Sequence, residues 1–331
     1  METANHKAAN VIIVLGMHRS GTSVCAGILN LLGVDLGQNM LATQYDNPQG
    51  YFENSQIWRI NENIFKSFHL TWDDATFLPE KWWESPCIAH LYQDALNVLS
   101  IEFVNSRLFA IKDPRLCRTL PFWQIVFNQF NIKQHYIIPL RHPLEIAHSL
   151  KTRNSFSTEK SLIIWMMYML EAEYYTRDNA RVFYSFDDLV NNANITMQRI
   201  FNTLNLKQPL EYEHINDKID QYITPQEKHH SYFVESTQVD IINEFHTSLQ
   251  NLSNESIDEC SELLKIDKIR DQFYRLHRLF YNPELMPILS ASSALKSRKY
   301  YKSYPHVFNL FLPLKSRRRR FVKSIISFFA K

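Results

Sequence analysis

Residues 11–23 read "VIIVLGMHRSGTS", an apolar run of five followed at once by a loop with glycines at 16 and 21. The run is the length of a buried strand, and "VCAGILNLLG" after it carries the apolar content of a packed helix. Strand, glycine loop and helix in that order form a phosphate-binding loop, in which backbone N–H groups and a helix N-terminus face an anion. The helix is expected to start near Ser20. Position 22, where a nucleotide triphosphatase places lysine, holds Thr22. Arg19 inside the loop offers a permanently charged, planar fork instead, able to contact two oxygens of one phosphate or sulfate.

Three more apolar runs lie downstream, "RLFAI" (107–111), "QHYIIPL" (134–140) and "RVFYSF" (181–186), separated by segments of helical periodicity. This alternation predicts an α/β fold, a P-loop-like three-layer arrangement of a central parallel sheet flanked by helices, with a helical C-terminal part. Each run ends in reactive polar residues: "GMHRSGTS", "KDPR", "RHP" and "DDL". Ligands of such sheets bind beyond the carboxyl ends of the strands, so these four tails define the active edge. Helices are expected over 55–67 and 160–177. The stretch "SLIIWMMYML" at 161–170 is too short for a membrane span and reads as a core helix.

Within "PLRHPLEIAHSLKTRN" (139–154), Arg141 ends a strand and Ser149 stands about two turns into the next helix, so the pair suits a second, separate anion. Taken alone, such an arginine reads as a surface ion pair.

The 331 residues carry a formal charge of +2 that hides an asymmetry. Eleven Lys or Arg and no acidic residue lie from Lys296 onward, leaving 25 basic against 34 acidic residues in 1–295, a formal −9. Two parts follow, an α/β domain over 1–290 and a basic amphipathic tail over 291–331. The tail reads either as an anionic-membrane-surface helix or as a face packed on the domain; nucleic acid is a poor partner for an acidic body. The start lacks a secretory pattern, so the expected location is cytoplasmic, with a peripheral membrane association through the tail. Cys25, Cys87, Cys117 and Cys260 have no metal-ligand spacing and read as reduced, mostly buried thiols. No metal site is expected.

Together, "GMHRSGTS", "IKDPR" and "RHP…HS" resemble the PAPS-dependent sulfotransferases, in particular the bacterial and Golgi-type branch with an arginine in the 5′-phosphosulfate loop. The likeness covers roughly residues 10–190. It implies transfer of a sulfuryl group from PAPS to a hydroxyl or amine without a metal, which removes the need for the missing lysine. It further implies that Gly16, His18, Arg19, Ser20, Gly21, Thr22 and Ser23 cradle the 5′-phosphosulfate, that Arg141 and Ser149 hold the 3′-phosphate, and that Lys112 sits near the transferring group. Alone, Lys112 and Asp113 read as a strand-end salt bridge.

A proton acceptor is also implied. In "DNPQGYFEN" (46–54), Glu53 is the first choice, at the start of a helix and among aromatics; its plainer role is to complement that helix's positive end. His18 is the rival base. His229 and His230 in "EKHHSY" read as a closing loop or as surface residues. Trp72, Trp82 and Trp83 read either as a stacking platform for a sugar or aromatic acceptor or as core; the acceptor itself is left open, a carbohydrate or glycolipid being one class. Two other functions remain open: a degenerate P-loop kinase or nucleotide hydrolase, and a non-catalytic nucleotide-binding protein.

Overall fold

The computed structural model describes residues 9–43, 50–210, 215–223, 237, 239–254 and 256–280. His229, His230 and the basic tail from 291 lie outside them. The chain divides into two compact units, Met1–Ile266 and Asp267–Lys331. All that follows concerns the first; of the second, the described part is the end of a helix, with an Arg275–Asp271 ion pair at 2.7 Å.

Four strands form one parallel sheet: β1 (Asn10–Val14), β2 (Leu108–Lys112), β3 (Lys133–Leu140) and β4 (Ala180–Ser185), in the order β2-β1-β3-β4. Ile12 pairs in register with Ala110 on one side and His135 on the other, and Tyr136 with Arg181. Val11 to Val14 are fully buried, as expected of a strand covered on both faces. The strands match the four apolar runs to within a residue or two. The fold is α/β, as the sequence predicts.

The helices are α1 (Thr22–Leu31), α2 (Ser55–Ser67), α3 (Ala89–Glu102), α4 (Leu116–Gln129), α5 (Pro143–Asn154), α6 (Thr158–Tyr175), α7 (Phe186–Asn191), α8 (Ala193–Thr203), α9 (Asn216–Tyr222), α10 (Asp240–Leu252) and α11 (Glu259–Phe280). On one face of the sheet, Val24, Ile28 and Leu29 of α1 join Ile12, Val14, Ile137 and Tyr184 in a core that Met197 and Ile200 of α8 extend. Helix α4 packs against β3 and α6, and α5 packs against α6. Helix α6 buries Trp165, Tyr168, Met166, Met167 and Met169, so "SLIIWMMYML" is core. No helix among the described residues is long and apolar enough to cross a membrane.

The strand order positions the site. From β1 the chain crosses to β2 on one side, then returns to place β3 on the other side of β1. The loops leaving the carboxyl ends of β1 and β3 therefore diverge from adjacent strands, which opens a crevice between them. Arg19 lies in the first loop and Arg141 starts the second.

Candidate functional site

The loop after β1 is built tightly. Ser20 N–H donates to the Met17 carbonyl at 3.1 Å, and Gly16 N–H donates to the Cys117 thiol of α4 at 3.1 Å. Gly21, at φ 91°, caps α1, and a β-carbon there would meet the Phe186 ring at 2.1 Å; glycine answers both the backbone and the space. Helix α1 thus begins at Thr22, two residues later than expected, because the left-handed turn extends through Gly21. No side chain caps its N-terminus and its first turn holds no acidic residue. The positive end of its dipole is left for an external anion.

Two polar atoms in this loop are orphaned. Ser20 Oγ (1% exposed) and His18 Nε2 (7% exposed) are buried with no hydrogen-bond partner. The His18 ring lies 4.2 Å from that of Trp72 and 6.1 Å from that of Tyr168. Burial holds the imidazole well below its ordinary pKa, and Arg115, Arg153, Lys112 and Arg19 add to the effect, so His18 is neutral.

Arg19, itself at φ 72°, donates from Nε to Ser149 Oγ at 2.7 Å, while Arg141 Nη1 donates to the Arg19 carbonyl at 3.1 Å. The two proposed anion sites are therefore contiguous, and the contact seen for Ser149 is with Arg19 rather than with Arg141. Arg141 also forms an ion pair with Glu145 one turn along α5 at 2.9 Å, and its guanidinium lies 5.0 Å from the Phe186 ring. The plain ion-pair reading of Arg141 thus describes one of its contacts; its place at the crevice supplies the other.

Lys112, at the end of β2, donates to Ser23 Oγ (3.0 Å), the Tyr51 carbonyl (2.9 Å) and Glu53 Oε1 (2.7 Å). All three ammonium protons are engaged. Glu53 is 5% exposed, and its Oε2 stands 3.7 Å from Arg115 Nη1, with no hydrogen-bond partner among the described residues. Burial pushes the Glu53 carboxyl above its ordinary pKa, Lys112 opposes this, Asp113 reinforces it and Arg115 opposes it. Glu53 does not begin α2: Asn54 caps that helix by accepting from Gln56 N–H and Ile57 N–H, which leaves Glu53 free to point toward β2. The neighbouring Asp113 accepts from Asn61 Nδ2 at 2.8 Å and pairs with Arg115 at 3.0 Å, so "KDPR" is a scaffold for the site.

Some site residues were not singled out from sequence. Arg115 stood in a quoted motif with no role of its own. Arg153, whose guanidinium lies 5.8 Å from the Trp72 ring, is the second-to-last residue of the quoted "PLRHPLEIAHSLKTRN" segment but reaches the loop only through the packing of α5. Trp72 meets His18, whereas Trp82 is core at 2% exposure and contacts Trp83. Of the cysteines, Cys25 and Cys117 are buried and Cys87 and Cys260 exposed, with all four free, so the expectation of mostly buried thiols holds for half of them. No group of metal-binding side chains occurs among the described residues.

No protein-family model and no curated protein matches the chain. Among solved structures, it is similar to the sulfotransferase domain of the olefin synthase of Synechococcus PCC 7002, 14% identical over 80% of this chain and 96% of that one, with a TM-score of 0.38. The sulfotransferase domain from the curacin biosynthetic pathway is 13% identical over 80% of this chain and 98% of its own, with a TM-score of 0.40. Likenesses this distant carry no argument about what the chain does.

Proposed function

We propose that the chain is a sulfotransferase that takes a sulfuryl group from PAPS to a hydroxyl acceptor. The observation that carries this reading is the lysine-free glycine loop at the uncapped start of α1, holding two orphaned buried polar atoms beside Arg19. A buried donor or acceptor without a partner costs free energy, and an anion seated on the loop would relieve that cost. The 5′-phosphosulfate is assigned to Gly16 through Ser23 with Arg19 as its cation, and the 3′-phosphate to Arg141 with Ser149. The donor would supply the sulfuryl group; the fixed N–H groups and cations of the loop would stabilise negative charge on its oxygens in a site closed to water.

Glu53 is the proposed proton acceptor. Its Oε1 is anchored by Lys112, its Oε2 has the Arg115 ion pair but no hydrogen bond among the described residues, and burial raises its affinity for a proton. His18 is the second choice, because its neutral ring keeps an unpartnered nitrogen. Trp72, whose ring meets that of His18 at a tilt of 49°, suits the face of a sugar or aromatic acceptor. A degenerate kinase would want a lysine in the loop, where Thr22 stands, and an acidic metal ligand at a strand end; only the acidic residue is available.

Calorimetry on the full chain tests the two-anion reading. Without magnesium, 3′,5′-ADP is expected to bind tightly and 5′-AMP much more weakly. Arg141→Ala should abolish the difference, since each charge-assisted hydrogen bond contributes roughly 1.5–3 kcal/mol, while Arg19→Ala should weaken both ligands. Equal binding of the two nucleotides to the unmodified protein would remove the 3′-phosphate site and favour the kinase reading.

A further inference from the structure

At the opposite, amino-terminal edge of the sheet lies a cavity of about 520 Å³, within the size range of small-ligand sites. The eight residues of β3 separate it from the glycine loop by roughly 25 Å, at about 3.3 Å per residue. Its walls are the last turns of α4 and α6, the start of β3 and the turn into β4.

A directed hydrogen-bond relay forms its floor. Gln124 Nε2 donates to the Tyr175 carbonyl at 2.8 Å and to Tyr136 Oη at 3.1 Å. Tyr136 Oη donates to Gln134 Oε1 at 2.7 Å, and Gln134 Nε2 donates to Asn128 Oδ1 at 3.0 Å. Tyr136 is fully buried and Gln134 is 8% exposed, so the relay is anchored in the sheet. It fixes the orientation of the exposed Asn128 amide and leaves the NH₂ without a partner among the described residues. Asp178 and the side chain of Asn179, on the same wall, are likewise without partners there. These groups offer two kinds of hydrogen bond, amide donors and carboxylate or amide acceptors.

Charge narrows the ligand class. Arg177 is held by Glu173 through Nε at 2.8 Å and Nη2 at 2.7 Å; that carboxylate is shared with Arg181, which Glu259 also pairs, so two guanidinium groups meet two carboxylates. Asp178 is a carboxylate, which repels phosphates and sulfates. The remaining surface is aromatic: Tyr174, 48% exposed, carries the Arg177 guanidinium at 5.5 Å and meets the ring of Tyr175 at 5.5 Å. An exposed phenol ring edged by oriented amides matches a pyranose, whose C–H face packs on an aromatic ring while its hydroxyls both donate and accept.

We propose that this cavity is a binding site for a neutral sugar chain, separate from the loop site. It stands whether or not the chain is a sulfotransferase. On a sulfotransferase it would hold a polymeric acceptor at a distance from the reacting hydroxyl.

Saturation-transfer-difference NMR on the full chain with maltohexaose, cellohexaose and tri-N-acetylchitotriose is the test. Transfer to the ring C–H protons of at least one of the three is expected. Tyr174→Ala should then lower its affinity at least tenfold and Asn128→Ala about threefold or more; both positions are exposed, and unchanged melting checks the fold. No transfer to any of the three, or unchanged affinity in both variants, overturns the proposal. Binding of 3′,5′-ADP, measured alongside, reports separately on the loop site: its absence would count against the sulfotransferase reading and leave the sugar site untouched.

Discussion

The glycine loop and the Lys112–Glu53–Arg115 cluster are neighbours joined by the Lys112–Ser23 hydrogen bond, yet they differ in how their polar groups are satisfied. In the loop, Ser20 Oγ and His18 Nε2 are buried and unpartnered, and an uncapped helix points outward. In the cluster, Lys112 has three acceptors, Asp113 has two partners, and Arg115 is held by Asp113 and Glu62. A region that is incomplete without a ligand is adapted to bind one; a region complete in itself is adapted to hold a shape. Glu53 stands between them, with one oxygen anchored and one not.

The largest effect is expected at that residue. Glu53→Gln should keep the affinity for 3′,5′-ADP and lower turnover of PAPS with a hydroxyl acceptor by about 10²–10⁴-fold, the usual range for a lost general base. A near-normal kcat would place Glu53 wholly in the scaffold, and His18→Ala would then be the variant expected to lose turnover.

Next comes the scaffold. Lys112→Met leaves the Glu53 carboxylate buried without its closest cation and should cost about 3–5 kcal/mol in urea denaturation. Adding Glu53→Gln to it should recover part of the loss. A loss below 1 kcal/mol would show that the cluster does not hold the crevice together.

The buried histidines should each cost stability in acid over a defined window. Burial lowers His246 and His135 to about 4, and His18 lies well below its ordinary value. The unfolded chain takes up these protons below about pH 6.5, while His246 and His135 in the folded chain do not until nearer pH 4. The part of the stability that these histidines carry is therefore fully present above pH 6.5 and falls as pH drops toward 4, by at most about 1.4 kcal/mol per pH unit for each group, while Glu171, raised to about 7 by burial, acts in the opposite sense between pH 7 and its ordinary value. His18→Gln should flatten part of that slope; an unchanged slope would mean that the loop histidine is protonated in the folded chain.

The smallest effect sharpens the contrast most. Ser20→Ala removes a hydroxyl that makes no hydrogen bond, so stability should stay within about 0.5 kcal/mol or rise, while affinity for 3′,5′-ADP falls about fivefold. The reverse pattern, lost stability with kept affinity, would erase the distinction between the two regions.

How much of this was legible beforehand follows from the reach of each signal. The strands were, because a buried parallel strand is a short apolar run whatever surrounds it, and 11–15 and 134–140 differ from β1 and β3 by a residue at one end or both. The order β2-β1-β3-β4 was not, since hydrophobic runs do not name their neighbours. Arg19 and Arg141 were legible as strand-end cations. That Ser149 meets Arg19, and that Arg153 and Trp72 close over His18, depend on how α5 and α6 pack, and nothing within one segment encodes that. The span of α2, 55–67, was legible in full; that Asn54, and not Glu53, stands at its cap was not, because either residue type suits the start of a helix.

Phe186 opens α7 immediately after β4, its ring fills the space beside Gly21, and the same ring lies beneath Arg141. One side chain just past the edge strand thus spaces the turn that caps α1 from the guanidinium proposed for the second anion. The three positions are coupled: a bulkier residue at 21 demands a smaller one at 186, and a smaller one there removes the support under 141. Relatives too distant to align by overall identity could be sought by that triplet, a glycine before the first helix, an arginine after the third strand and an aromatic after the fourth.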